Sequence, residues 1–146
     1  YEIPLRLVGS EMCIRDRFPH LDKKRAILLA MLEHLDNGVG AVVKKLKAEG
    51  VWDNTLLFFL TDNGGSKAMQ ANNGRLRAFK GSLYEGGIRT PWIVSWPANF
   101  KGGRTFDHPV ISLDILPTVV EATGTGRLAK RRFDGKSLLP LLTGNA

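Results

Sequence analysis

An apolar run that ends abruptly in a carboxylate, an amide and two glycines most constrains the fold of this chain. Residues 56–60 are apolar on both faces, which is typical of a buried strand. In open α/β sheets, ligands bind beyond the carboxyl ends of such strands. Asp62 and Asn63 follow and offer oxygen atoms that suit Ca²⁺ or Mg²⁺. The same Asp-Asn-Gly sequence is common in turns, so these residues alone leave both a turn and a metal site open.

A long helix is predicted ahead of this strand, over residues 22–49. Asp22 suits the N-cap and Gly50 suits the C-terminal stop. Gly38 and Gly40 lower the helix propensity, and we expect them to let the helix approach a sheet closely. The apolar side chains that fall largely on one stripe of the helix are Ile27, Met31, Leu35, Val42 and Leu46.

The chain after the strand alternates loop, strand and helix. Residues 64–87 are rich in Gly, Asn and Ser and form a long loop, and loops of that length tend to be functional. A strand over residues 92–96 follows. Residues 112–122 are expected to be helical, and Pro117 predicts a kink or a late start of that helix.

The bulk properties exclude some classes of function. A net charge of +7 could attract a polyanion, but the basic residues lack the interleaved aromatic rings of a single-strand binder, so no nucleic-acid partner is expected. No continuous apolar run approaches the roughly 20 residues that span a bilayer, so no membrane partner is expected either. The single cysteine, Cys13, forms no internal disulfide and does not reveal the compartment.

A second motif gives these patterns a family. Residues 80–91 read K-G-S-L-Y-E-G-G-I-R-T-P, and an apolar strand follows at once. A strand with DNGG, then this block, then a strand resembles the sulfatase family. Three further segments agree with that family in order, at residues 33–40, 107–118 and 134–142.

The resemblance implies a fold and a chemistry. The expected fold is a partial alkaline-phosphatase/sulfatase-like α/β sheet with flanking helices, truncated at the N-terminus, with residues 18–146 as the C-terminal portion of the catalytic domain. The implied activity is sulfate ester hydrolysis with Ca²⁺ (Mg²⁺ being less favoured) and a formylglycine nucleophile. Asp62 and Asn63 match metal ligands. Lys80 matches the lysine that contacts the sulfate during binding and catalysis, although most lysines are simply surface residues.

The family also implies partners and a location. The substrate is expected to be a sulfated small molecule or polysaccharide, and the protein is expected to be periplasmic or secreted. The oligomeric state and the individual substrate do not follow from these residues. Glu85 and Arg89 have no implied catalytic role and are expected to pair and hold the loop, while Asp36 and Asp114 are interpreted as structural residues at helical positions.

The nucleophile motif of the family, C/S-x-P-x-R, is absent from the chain. Cys13 precedes an arginine at the right offset, but Arg15 replaces the required proline, so Cys13 is rejected. Residues 1–17 have no consistent period and are interpreted as a non-native or disordered leader, similar to translated sequencing adapter. Because the nucleophile and the acidic ligands near the family N-terminus are missing, the chain alone is predicted to be inactive.

Two alternatives stay open. One is a phosphatase or phosphonate-ester hydrolase of the same superfamily, which the nucleophile region would distinguish. The other is a degenerate domain that binds sulfated glycans through its basic surface without turnover.

Overall fold

A computed structural model describes residues 18–125 and 132–144 of the chain. The chain divides into two compact units, Tyr1–Val94 and Ser95–Ala146. The helices and strands are α1 (Lys23–Ala48), β1 (Leu57–Leu60), α2 (Glu85–Ile88), β2 (Trp92–Ser95), α3 (Ile115–Ala122) and α4 (Leu139–Thr143). Short 3₁₀ helices occupy Trp52–Asn54, Lys67–Met69 and Ser112–Asp114. The predicted leader at residues 1–17 lies outside the described residues and stays a prediction.

Helix α1 begins and ends where the sequence predicts. The Asp22 carboxylate accepts a hydrogen bond from the Lys24 amide at 2.9 Å, which satisfies one of the free N–H groups of the first turn. At the other end Gly50 has a φ of +69°, and its amide donates to the Lys47 carbonyl. The Val51 amide donates to the Leu46 carbonyl, which completes a Schellman motif.

The apolar stripe of α1 is largely exposed among the described residues. The helix buries Ala26 and Ala30, whereas Met31 is 59% exposed and Val42 is 54% exposed. The expectation for Gly38 and Gly40 is wrong for this part of the chain, because no atom lies within 4 Å of a Cβ built at either glycine. The stripe is therefore free to contact a surface outside the described residues.

Helix α1 bears on the expectation that the protein has no membrane partner. By length and composition alone α1 could cross a membrane, although buried helices of globular proteins pass the same test. The sequence-based argument looked for a continuous apolar run, which Glu33 and Asp36 interrupt, whereas the average composition of the helix between Ala26 and Val43 is apolar.

Strands β1 and β2 form a two-stranded sheet that positions the candidate site. Their side chains meet where the Phe58 and Trp92 rings pack edge to face, with centroids 6.3 Å apart. Just beyond β1, the Thr90 hydroxyl donates to the Thr61 carbonyl at 3.1 Å. The end of β1 is thus tied to the segment that enters β2.

The second unit is organised around a buried carboxylate. Asp114 accepts hydrogen bonds from the amides of Ile111 at 2.9 Å and Lys136 at 2.8 Å. Thr118 is fully buried; its hydroxyl donates to the Asp114 carbonyl and accepts from the Leu138 amide. Of the two outcomes expected for Pro117, the late start is observed: the 3₁₀ turn Ser112–Asp114 comes first, and Pro117 lies in the first turn of α3.

Candidate active site

The turn after β1, residues 62–65, is called here the DNGG turn. Asp62 is exposed and Asn63 is partly buried. The Gly64 amide donates to the Gly87 carbonyl at 2.9 Å. A Cβ at Gly64 would lie 1.8 Å from the Gly86 carbonyl oxygen, so only glycine allows this approach. The turn is therefore held against the segment that carries the second motif.

That segment, residues 77–87, is called here the lysine loop. The Lys80 amide donates to the Gly65 carbonyl at 3.0 Å, which places the backbone of Lys80 directly on the DNGG turn. Gly81 follows with a φ of +89°, a conformation that side-chain-bearing residues rarely adopt. The structure thus places the backbone of Lys80 against Gly65, which follows the other two predicted site residues, Asp62 and Asn63, in the DNGG turn.

The lysine loop is also closed on itself. The Arg77 guanidinium lies 3.8 Å from the centroid of the Tyr84 ring, and the Arg77 carbonyl accepts from the Gly86 amide at 2.8 Å. Glu85 and Arg89 form the expected ion pair at 3.1 Å, although both are exposed and the pair contributes little to stability. Gly86 and Gly87 lie buried inside the short helix α2, where a tight turn would be the simplest expectation for a Gly-Gly pair.

One residue that the sequence did not single out joins these segments. The side-chain amide of Asn73 accepts from the Gly65 amide at 3.0 Å. It donates to the carbonyls of Ala78 and Gly86, each at 2.9 Å. An Asn in a Gly- and Asn-rich loop is usually assigned to a local turn, so the sequence offers no signal for contacts that reach from eight residues upstream to thirteen downstream.

The side chains of the three candidate site residues have no partner within the described part of the chain. Within residues 18–125 and 132–144, no group forms a hydrogen bond or ion pair with the side chains of Asp62, Asn63 or Lys80. The carboxylate and amide oxygens fit Ca²⁺ or Mg²⁺, which prefer hard oxygen ligands. No cluster of three or more His, Cys, Asp and Glu side chains occurs in the described part of the chain. A cation held here would therefore need further ligands beyond Asp62 and Asn63.

The other acidic candidates are structural or remote. Asp36 is exposed on α1, and Asp114 is buried with its carboxylate occupied by backbone amides. A carboxylate held in this way caps the start of a helix, and its two oxygens already accept hydrogen bonds from backbone amides. The interpretation of Asp114 as a structural residue is consistent with this geometry.

Comparisons with known proteins identify a family for this chain. The Sulfatase family model matches residues 15–125. Steryl-sulfatase of Mus musculus is 36% identical over 123 residues, which cover 79% of this chain and 20% of that protein. The chain therefore spans about a fifth of the length of the curated relatives that it matches.

Solved structures extend the likeness to the fold. The crystal structure of Ps i-CgsB in complex with k-i-k-neocarrahexaose superposes with a TM-score of 0.82 at 34% identity, covering 99% of this chain and 32% of that one. The phosphonate monoester hydrolase SpPMH from Silicibacter pomeroyi gives a TM-score of 0.64 at 28% identity, covering 88% of this chain and 25% of that one. These neighbours confirm the predicted partial alkaline-phosphatase-like α/β architecture.

Both motifs behind the predicted resemblance lie in the matched region, and the structure joins them through the bond between Lys80 and Gly65. A family model that covers most of the chain, a relative 36% identical and a matching fold all lead to one conclusion. The chain belongs to the sulfatase family.

Proposed function

We propose that this chain forms the C-terminal portion, residues 18–146, of a catalytic domain that hydrolyses sulfate esters. The observation that carries the proposal is the 3.0 Å hydrogen bond from the Lys80 amide to the Gly65 carbonyl. It joins a pair of oxygen ligands to a cationic side chain on one short stretch of backbone. Family membership supplies the reaction class, and the activity of the whole protein is part of the proposal.

Each site residue receives a role in this proposal. Asp62 and Asn63 supply oxygen ligands to Ca²⁺, or less favourably Mg²⁺, and such a cation polarises sulfate oxygens when it is bound. Lys80 offers a compact positive charge with three N–H donors, which suits a tetrahedral anion. A formylglycine nucleophile would come from sequence outside this chain.

The substrate is proposed as a sulfated small molecule or a sulfated polysaccharide. The name of steryl-sulfatase supports the first class, and the neocarrahexaose complex of Ps i-CgsB supports a saccharide. The exposed position of Lys80 is compatible with either.

The proposal is tested by replacing Lys80 in a full-length enzyme that carries this segment. With a chromogenic aryl sulfate, Lys80→Ala should lower kcat/KM on the order of 10²-fold or more, because a charge contact to the transition state is lost. Lys80→Arg should recover only part of this, since a planar fork does not replace a point charge. Lys67→Ala is the matched control, because Lys67 is an exposed lysine in a short 3₁₀ helix that lies between the DNGG turn and the lysine loop. Rates for Lys80→Ala within a factor of about two of wild type would remove Lys80 from the site.

A second candidate function is favoured by one neighbour, the phosphonate monoester hydrolase SpPMH. The same oxygen pair and lysine would suit a phosphonate or phosphate ester, because both are tetrahedral anions. Aryl sulfate, aryl phosphonate and aryl phosphate assayed in parallel separate the two functions. Retention on heparin without turnover of any ester would instead indicate a degenerate glycan-binding domain.

A further inference from the structure

We propose that Asn73 is a positioning residue that sets the place of Lys80 relative to Asp62 and Asn63. This inference rests on the proposed function, because it concerns the same site. Asn73 itself is assigned no contact with the substrate or the metal.

The side chain of Asn73 bonds three separate backbone segments. Its oxygen accepts from Gly65 in the DNGG turn, while its two N–H groups donate to Ala78 and Gly86 in the lysine loop. The residue is partly buried, so water competes less well for these groups than at an exposed position. One planar amide therefore holds the two parts of the site together.

The segments meet so closely that little else would fit between them. A Cβ at Gly65 would lie 2.7 Å from the Asn73 side-chain oxygen, and a Cβ at Gly86 would lie 2.1 Å from the Ala78 carbonyl oxygen. Two carbonyl oxygens, of Ala78 and Gly86, converge on the amide nitrogen of Asn73. Without a donor between them, these oxygens would repel each other and lose their hydrogen bonds.

The connection continues from Asn73 to Lys80 through a single residue, Gly65. The Gly65 amide donates a hydrogen bond to the Asn73 side-chain oxygen, and the Gly65 carbonyl accepts one from the Lys80 amide. Ala78, two residues before Lys80, has a φ of +69°, which is unfavourable for a residue with a side chain and persists only when its surroundings hold it. Loss of the Asn73 donors should release Ala78 and let Lys80 move.

Asn73→Asp isolates this effect. The substitution keeps the shape of the side chain and its acceptor for Gly65, but it replaces both donors with an oxygen facing two carbonyls. Asn72→Asp is the matched control, because the neighbouring Asn72 is exposed and its oxygen accepts from the Gly74 amide at 2.7 Å, which a carboxylate also does. Both changes add the same charge at nearly the same place.

In the full-length enzyme with an aryl sulfate, Asn73→Asp should lower kcat by about 10- to 100-fold with a smaller change in KM, because small displacements of a catalytic group are costly. Asn72→Asp should stay within about twofold of wild type. Hydrogen exchange should show faster exchange of the Gly65 and Lys80 amides in Asn73→Asp, with unchanged exchange in α3.

Several results would overturn the inference. Equal kinetics for the two Asp variants would do so, as would exchange that rises uniformly over the whole chain, which indicates general destabilisation. Should the carboxylate prevent folding, Asn73→Ala compared with Asn72→Ala provides the same test, because it removes the two donors of Asn73 without adding a charge. An inactive wild-type enzyme would contradict the proposed function alone. Hydrogen exchange of the Gly65 and Lys80 amides would still decide the role of Asn73.

Discussion

At the scale of single residues, the exposed carboxylate of Asp62 is the charged half of the proposed cation site. In a full-length enzyme, Asp62→Ala should weaken Ca²⁺ binding sharply and lower turnover with it, because a charged ligand is lost from a hard-cation site. Isothermal titration calorimetry measures the first effect and an aryl sulfate assay the second. Asp53→Ala removes an equally exposed carboxylate ahead of β1 and serves as the control. Unchanged Ca²⁺ affinity in Asp62→Ala would rule out Asp62 as a ligand.

Ala78 gives a prediction of the opposite sign. Its φ of +69° is strained for alanine, and glycine relieves about 1–2 kcal/mol of such strain. Against this, glycine loses roughly 0.5–1 kcal/mol through its greater freedom in the unfolded chain. Ala78→Gly should therefore raise the free energy of unfolding by about 0.5 kcal/mol, measured by urea denaturation of the full-length enzyme.

Ala68→Gly provides the control for this change. Ala68 lies in the short helix Lys67–Met69 and is not among the described residues with positive φ, so glycine there should only destabilise. A loss of stability in both variants would show that Ala78 is not strained.

Sequence reasoning at this scale proposed side chains for the chemistry and missed the residue that connects their segments. Asp62, Asn63 and Lys80 stand in recognisable motifs, and the structure joins their backbones, while their roles stay predictions. Asn73 has no motif of its own, since its contacts depend on how three distant segments meet. Such a meeting is a property of the folded chain and leaves no local pattern.

At the scale of elements, helix ends were predictable and close packing was not. The bounds of α1 follow from local capping chemistry at Asp22 and Gly50, so the sequence is sufficient there. Gly86 and Gly87 lie in α2, and the backbone of the lysine loop passes against both of them. A Gly-Gly pair signals conformational freedom and close approach equally, and only the fold distinguishes them.

Gly86→Ala tests that close approach. The new Cβ would lie 2.1 Å from the Ala78 carbonyl oxygen and 2.5 Å from that of Arg77, both of which are backbone atoms. The free energy of unfolding of the full-length enzyme should fall by about 3 kcal/mol, because backbone atoms rather than a flexible side chain must move. Gly102→Ala has open space around its Cβ and should change stability by no more than about 0.5 kcal/mol. Similar thermal midpoints for the two variants would contradict the packing described for α2.

At the scale of the whole molecule, the described residues bury few apolar side chains. The buried hydrophobic residues are Ala26, Ala30, Leu138 and Leu142, while Leu83 is 91% exposed. Exposed apolar stripes of this extent mark surfaces that contact something else. The chain spans about a fifth of the length of the curated relatives, and under the proposed function other parts of such a domain would cover these surfaces.

The chain on its own is expected to be inactive and to associate with itself. Residues 18–146 expressed alone should show no turnover of an aryl sulfate with added Ca²⁺, because the chain has no nucleophile motif and the proposed cation site would supply two ligands where Ca²⁺ takes about six to eight. The two-stranded sheet and the stripe of α1 should also make the isolated chain associate, which size-exclusion chromatography detects.

Charged side chains on the apolar stripe of α1 should act differently in the isolated chain and in the full-length enzyme. Met31→Glu with Leu35→Glu should reduce association of the isolated chain, because both side chains are about half exposed or more there. In the full-length enzyme the same pair should cost about 3 kcal/mol or more, because the stripe would be buried and the charges unpaired. Lys44→Glu changes the charge of the same helix away from the stripe and should do neither. A soluble monomer of residues 18–146 with metal-dependent turnover would overturn both the assignment of the chemistry to other parts of the enzyme and the burial of α1 within it.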